Sequence, residues 1–375
     1  KMKFSGRLRG GNLEVEIDSG HTKSTRTIKL EKDVIIAHDL TPFLVLGKLK
    51  PGSRQTVNLF DPITLTINPA LIEVIGKATI DYENNPEEVL VVHMTYQELE
   101  VKAWVTPDGR ILRQETSLGW IMIKEPREKI LRLTSDTKGL DILKAVSVDP
   151  QTNIETPRKI KYLKIKIQNI DTDQFNNAGS RQKIIDADNK IAEVISEIIK
   201  TENIQTLPVT KDKQGRDLSP YLESTIFIQS DNKEISSRAR KIIKDETNAW
   251  QAAQKISDWV YGSVKKVPTF SIPSSIDVLN NREGDCNEHT YLFTALARSV
   301  GIPTRVAIGL VALDNRFYYH AWPFVYVGQW IHMDPTLNQP IADATHLKLL
   351  EGEIADQIKL TGLIGKIKIK IIEYE

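Results

Sequence analysis

The sequence predicts an α+β chain: an antiparallel, β-rich part over residues 1–232, then a second domain over 233–375 in which a buried helix packs on an antiparallel sheet. Three observations carry this. Short alternations of apolar and polar residues, broken by turn signals, fill the first part of the chain. A nearly all-apolar helical run follows Asp285. Strand patterns resume after Pro303.

Residues 13–17 and 63–67 alternate, and residues 88–94 are rich in β-branched side chains. Residues 99–105 run into Pro107-Asp108-Gly109-Arg110, a turn sequence, and then into 111–114, which predicts a hairpin. The basic run 159–166 alternates lysine with apolar residues and reads as a strand with one solvated lysine face; an anionic-ligand site is the alternative. Residues 171–182 are polar and predict a loop. Ile191, Val194, Ile195, Ile198 and Ile199 have helical spacing, predicting an amphipathic helix over 186–202. A strand is expected over 221–228, a boundary near 230–233, and a helix over 250–264 carrying Ala253, Ile256, Trp259 and Val260.

Lys and Arg number 50 against 49 Asp and Glu, a formal charge of +1, so no nucleic-acid footprint is expected. No apolar run approaches the ~20 residues that span a bilayer. The chain begins at Lys1 and reads as a trimmed or processed product; with the β-rich front half this points to an extracytoplasmic setting, periplasmic or secreted, with a cytoplasmic one as the alternative. The single cysteine does not indicate a redox compartment. No Cys, His, Asp or Glu cluster has zinc-finger or HExxH spacing, so neither a metal nor a cofactor is expected.

That cysteine, Cys286, follows Gly284 and Asp285. Asp285 has the place of an N-cap, with Glu288 three residues on as the second half of a capping box. The helix runs through Tyr291, Leu292, Phe293, Ala295, Leu296, Ala297 and Val300 to Gly301, with Pro303 just beyond. Its unsatisfied N–H groups and positive dipole end favour a thiolate at the first position and an oxyanion beside it. A packed core thiol is the alternative.

Residues 304–311, 317–327 and 330–333 read as three strands, the first two joined at Asp314-Asn315. His320 lies early in the second and Asp334 at the end of the third, so adjacent antiparallel strands bring them together. His320 is then the base for the thiol and Asp334 its orienter. A hydrogen-bonded core histidine and a turn-opening aspartate are the alternatives. His289 and His332 compete for the role of base but read as structural.

Gly284-Asp285-Cys286, the run 295–306, His320-Ala321-Trp322 and the run 330–336 together resemble the bacterial transglutaminase-like superfamily, over roughly residues 247–350. The segment 342–349 is also similar to bacterial members. The resemblance implies a papain-like core, with Cys286 as nucleophile, His320 as base and Asp334 as orienter. It also implies amide chemistry through a thioester on a protein or peptide substrate. Hydrolysis stands first, acyl transfer to an amine second, and a binding protein with a vestigial triad third. For a second oxyanion donor, papain-like enzymes point to Asn280 or Asn281, and transglutaminases to the aromatic residues Trp259 or Tyr261.

Overall fold

A computed structural model describes residues 3–18, 23–30, 34–36, 50–61, 65–96, 99–117, 121–133, 147–171, 173, 175, 181–267, 274–357, 360 and 363–375. Strands β1 (Lys3–Arg9), β2 (Asn12–Asp18) and β3 (Lys23–Lys29) form an antiparallel meander. Strands β4 (Val34–Ile36), β5 (Arg54–Asp61), β6 (Thr66–Tyr82), β7 (Asn85–Tyr96), β8 (Leu99–Val105), β9 (Ile111–Thr116) and β10 (Ile121–Ile123) make a seven-stranded sheet in order 10-9-8-7-6-5-4. The expected hairpin is β8–β9. Val57, Leu59, Ile72, Val74, Val92 and Val105 form this sheet's own buried cluster. Residues 63 and 64 of an expected strand lie outside the described residues, as do 172, 174 and 176–180 of the expected loop. Helix α1 (Arg127–Leu133) follows β10.

A third sheet is built from β11 (Tyr162–Gln168), β12 (Gln182–Asp186) and β13 (Ile191–Ile195), in order 12-13-11, with the last strand of the chain on its far edge. The basic run enters β11 as alternation implies: Leu163, Ile165 and Ile167 are buried, and Lys164 and Lys166 lie on the other face. The helix expected over 186–202 is not there. The segment is the β12–β13 hairpin followed by a short 3-10 turn (Thr201–Asn203). Helical spacing and strand alternation coincide on so short a stretch. Its β-branched residues suit a strand, and β11 needs a partner for its backbone groups. Ala192 and Val194 point into the core, whereas Ile195 and Ile198 are exposed. The strand expected over 221–228 is also replaced, by a 3-10 turn (Ser219–Leu222) and irregular chain that buries Phe227 and Ile228.

Helices α2 (Lys233–Ile243), α3 (Ala249–Ser263) and α4 (Ser275–Asn281) pack around α5 (Cys286–Ser299). Short strands β14 (Lys265–Lys266) and β15 (Glu283–Gly284) pair in parallel just before α5. Behind α5 lies a sheet of β16 (Thr304–Leu313), β17 (Arg316–Tyr326), β18 (Trp330–His332) and β19 (Leu347–Glu351), in order 18-17-16-19. Asp314 and Asn315 turn the β16–β17 hairpin with positive φ at both residues, the requirement of a two-residue type I′ loop. Helix α6 (Ile354–Gln357) precedes β20 (Lys368–Tyr374), which pairs with β11.

Tyr291, Leu292, Phe293, Ala295, Leu296 and Ala297 of α5 are fully buried, so this helix is the spine of its layer. At roughly 1.5–3 kcal/mol for each large apolar side chain, that burial fixes its axis firmly. One hydrophobic cluster extends from Val148 to Ile371, so residues on both sides of the 232/233 boundary share a core. Among the described residues, no helix is long and apolar enough to cross a membrane.

Candidate active site

Cys286 is the first residue of α5, half-buried, with Asp285 as N-cap. Asp285 Oδ1 accepts the Asn287 N–H at 3.2 Å, and Glu288 Oε2 accepts the Asp285 N–H at 3.0 Å, closing the capping box. A Cβ on Gly284 would stand 2.2 Å from Glu288 Cβ and 2.4 Å from its Cγ, so only glycine leaves room for the box. Gly284→Ala is therefore expected to cost about 1–3 kcal/mol in urea denaturation and to slow alkylation of Cys286. Unchanged stability would show that Glu288 yields without penalty.

His320 stands on β17 opposite Gly309, and Asp334 lies two residues past β18. Asp334 and Gln339 exchange backbone hydrogen bonds of 2.8 and 2.9 Å, which shape the turn behind the carboxylate. Asp334 Oδ1 accepts the N–H groups of Thr336 at 2.7 Å and Leu337 at 3.0 Å, leaving Oδ2 free to aim elsewhere. His320 Nε2 is 2.7 Å from that Oδ2, as adjacent strands imply, and the Cys286 side chain lies near enough to the same ring to act on its proton. Thr290 Oγ1 donates to the Ala321 carbonyl at 3.0 Å, tying α5 to the strand that carries His320.

Burial alone would lower the His320 pKa. The Asp334 charge, its hydrogen bond and the adjacent Cys286 override it and push the ring up to about 9. Burial would raise Asp334, but the His320 and His346 rings hold it well below the usual carboxylate range. An imidazole that favours its proton thus stands between an ionised carboxylate and a neighbouring thiol. The arrangement can hold a thiolate–imidazolium pair, attack an acyl carbon and return a proton to a leaving group.

The competing histidines have other partners. His289 Nδ1 is 2.6 Å from the Asp285 carbonyl, and burial lowers its pKa. His332 stacks on Phe324 and bonds Glu197; burial keeps it neutral, with a pKa of about 4. Asn280 and Asn281 are exposed at the end of α4. Arg238 and Arg282 stack on Trp259, and Lys266 covers the Tyr261 ring. Among the described residues, none of these four oxyanion candidates makes a hydrogen bond or ring contact with Cys286, His320 or Asp334.

Sequence reasoning assigned no role to His346, whose Nε2 is 3.0 Å from the same Asp334 Oδ2. The spacing of Asp343, Thr345 and His346 in the 342–349 segment was the available sign. Nitrogen and oxygen atoms of His320, Asp334 and His346 cluster within 4.8 Å. Hydrogen bonds of 2.7 and 3.0 Å to one shared oxygen account for that grouping.

Residues 236–335 match the family model of the transglutaminase-like superfamily, and the chain carries a domain of that superfamily there. No curated protein matches the chain significantly. Among solved structures, the chain is similar to a candidate cysteine protease from Cytophaga hutchinsonii, at 20% identity and a TM-score of 0.40, over 58% of this chain and 86% of that one. It is also similar to a candidate protease from Parabacteroides distasonis, at 14% identity and a TM-score of 0.24, over 50% of this chain and 38% of that one. At these scores neither likeness bears on the chemistry.

Proposed function

We propose that the transglutaminase-like domain of this chain is a cysteine-dependent amidase or peptidase with a papain-like core. The observation that supports it most is the buried His320–Asp334 pair beside Cys286 at a capped helix N-terminus. The Cys286 thiolate attacks the carbonyl carbon of a peptide or protein amide, and the backbone N–H at the start of α5 receives the oxyanion. His320 gives its proton to the leaving amine, which departs and leaves a thioester. The neutral ring then takes a proton from water, whose oxygen attacks the thioester and releases the acid and the thiolate. Asp334 holds the ring with Nε2 protonated and turned toward itself, so that Nδ1 serves the sulfur.

The test needs no known substrate at first. Near neutral pH, iodoacetamide is expected to alkylate Cys286 about ten-fold or more faster than free cysteine, and His320→Ala to abolish that advantage. A wild-type rate no faster than that of free cysteine would overturn the reading. A glutamine-containing peptide offered with a labelled amine then separates the outcomes: free acid supports hydrolysis, and amine incorporation replaces it with acyl transfer. Because the His320 pKa is raised, stability from its charged form is fully present below the ordinary 6.5 and lost as pH rises through about 9. Hydrolysis is expected to fall over the same upper limb, since the ring then has no proton to give.

A further inference from the structure

We propose that His346 is a positioning residue of this site: a second imidazolium, held between Asp334 and Asp343, that keeps the Asp334 carboxylate aimed and ionised for His320. The proposal rests on Cys286 being a thiolate served by His320. His346 is fully buried. Its Nε2 is 3.0 Å from Asp334 Oδ2, and its Nδ1 is 3.2 Å from the Asp343 carbonyl and 3.3 Å from Asp343 Oδ1. All three oxygens are acceptors. The ring satisfies both sides only with a proton on each nitrogen.

The surroundings fit a cation. Asp343 Oδ1 accepts the Thr345 N–H at 2.8 Å, and Asp343 Oδ2 is 2.9 Å from Arg158 Nη1. Arg158 also donates to Gln339 Oε1 at 3.3 Å, and Gln339 is the backbone partner of Asp334. Cys286, His320, Asp334, His346, Asp343 and Arg158 therefore follow one another with alternating charge, and the series closes through Gln339. The other groups facing the ring are Trp322, at 5.1 Å edge-on, His320, at 5.9 Å between centroids, and Arg181, which points at the His346 carbonyl. Burial opposes a charge on His346, but the two carboxylates outweigh it and the net shift is upward.

Two donors on one carboxylate oxygen leave Asp334 no freedom to rotate. The His346 charge also offsets part of the pull that Asp334 exerts on the His320 proton. His346→Gln keeps a donor toward Asp334 and removes the charge. The upper limb of the Cys286 alkylation profile against pH is then expected to move up by about half a unit or more. Asp343→Asn leaves the ring in place without its second anion, and if His346→Gln does not fold, this variant is expected to release the His346 proton at lower pH than wild type in imidazole ¹⁵N shifts. In the wild-type protein, imidazole ¹⁵N shifts are expected to show both His346 nitrogens protonated at pH 7. A neutral His346 at pH 7, or variant profiles that superimpose on an activated wild type, overturns its role alone. An unactivated wild-type thiol overturns the catalytic reading itself.

Discussion

Asp334→Asn is expected to lower turnover by about 10³–10⁴-fold, the size of effect seen when a triad carboxylate becomes an amide. Oδ1 accepts the N–H groups of Thr336 and Leu337, so the Asn oxygen must stay there. The amide nitrogen then occupies the place of Oδ2, facing His320 Nε2 and His346 Nε2, where it brings two hydrogens of its own. Donor meets donor on both sides. Each ring relieves the clash by dropping its Nε2 proton, which leaves His320 as the Nδ1–H tautomer with its hydrogen toward the sulfur. That ring cannot accept the thiol proton, and without the anion its pKa falls from about 9. Alkylation of Cys286 at pH 7 should drop to the rate of an ordinary thiol while circular dichroism shows the fold retained. A loss of less than ten-fold in both rates would mean that His320 does not depend on this carboxylate.

The parts of this site that were legible in the sequence are those built from local signals. The capping box around Cys286 depends on residues three apart, and the helix behind it shows its burial in its own composition. His320 and Asp334 are 14 residues apart on consecutive strands, within reach of hairpin logic. The second layer is a different matter. Arg158 meets Thr345 across 187 residues, and Arg181 meets the Ala342 carbonyl across 161. Such contacts follow from which sheets pack together, and no spacing rule encodes that. The hairpin over 182–195 shows the same limit. Its isoleucines fit a helical period as well as a strand, and only pairing with β11 decides between them. The result has functional weight, because that hairpin brings Arg181 and Glu197 up to the loop that carries Asp343 and His346.

Glu197→Gln is expected to destabilise the protein by about 3–5 kcal/mol, the range for breaking a buried ion pair from one side. Arg181 is only 1% exposed, and its guanidinium reaches the Glu197 carboxylate and the carbonyls of Ala342, Asp343 and His346. Without the anion, a full positive charge stays in the core with only carbonyl dipoles to meet it. The glutamine fares no better toward His332, whose Nδ1 bonds Glu197 now. If its amide oxygen stays with Arg181, its nitrogen faces Nδ1, and His332 must move its proton to the buried, unpartnered Nε2. Burial would raise the Glu197 pKa, but Arg181 and His332 hold it at about 2, below its ordinary 4.5. Its contribution is therefore fully present above about pH 4.5 and lost as pH falls toward 2. Urea denaturation should show the full gap between wild type and variant at pH 7, narrowing as pH drops through that window. A gap below about 1 kcal/mol at pH 7 would mean that the carbonyls alone suffice for Arg181. Because Arg181 pins the 342–346 loop, Cys286 alkylation is expected to slow in the variant even where it remains folded.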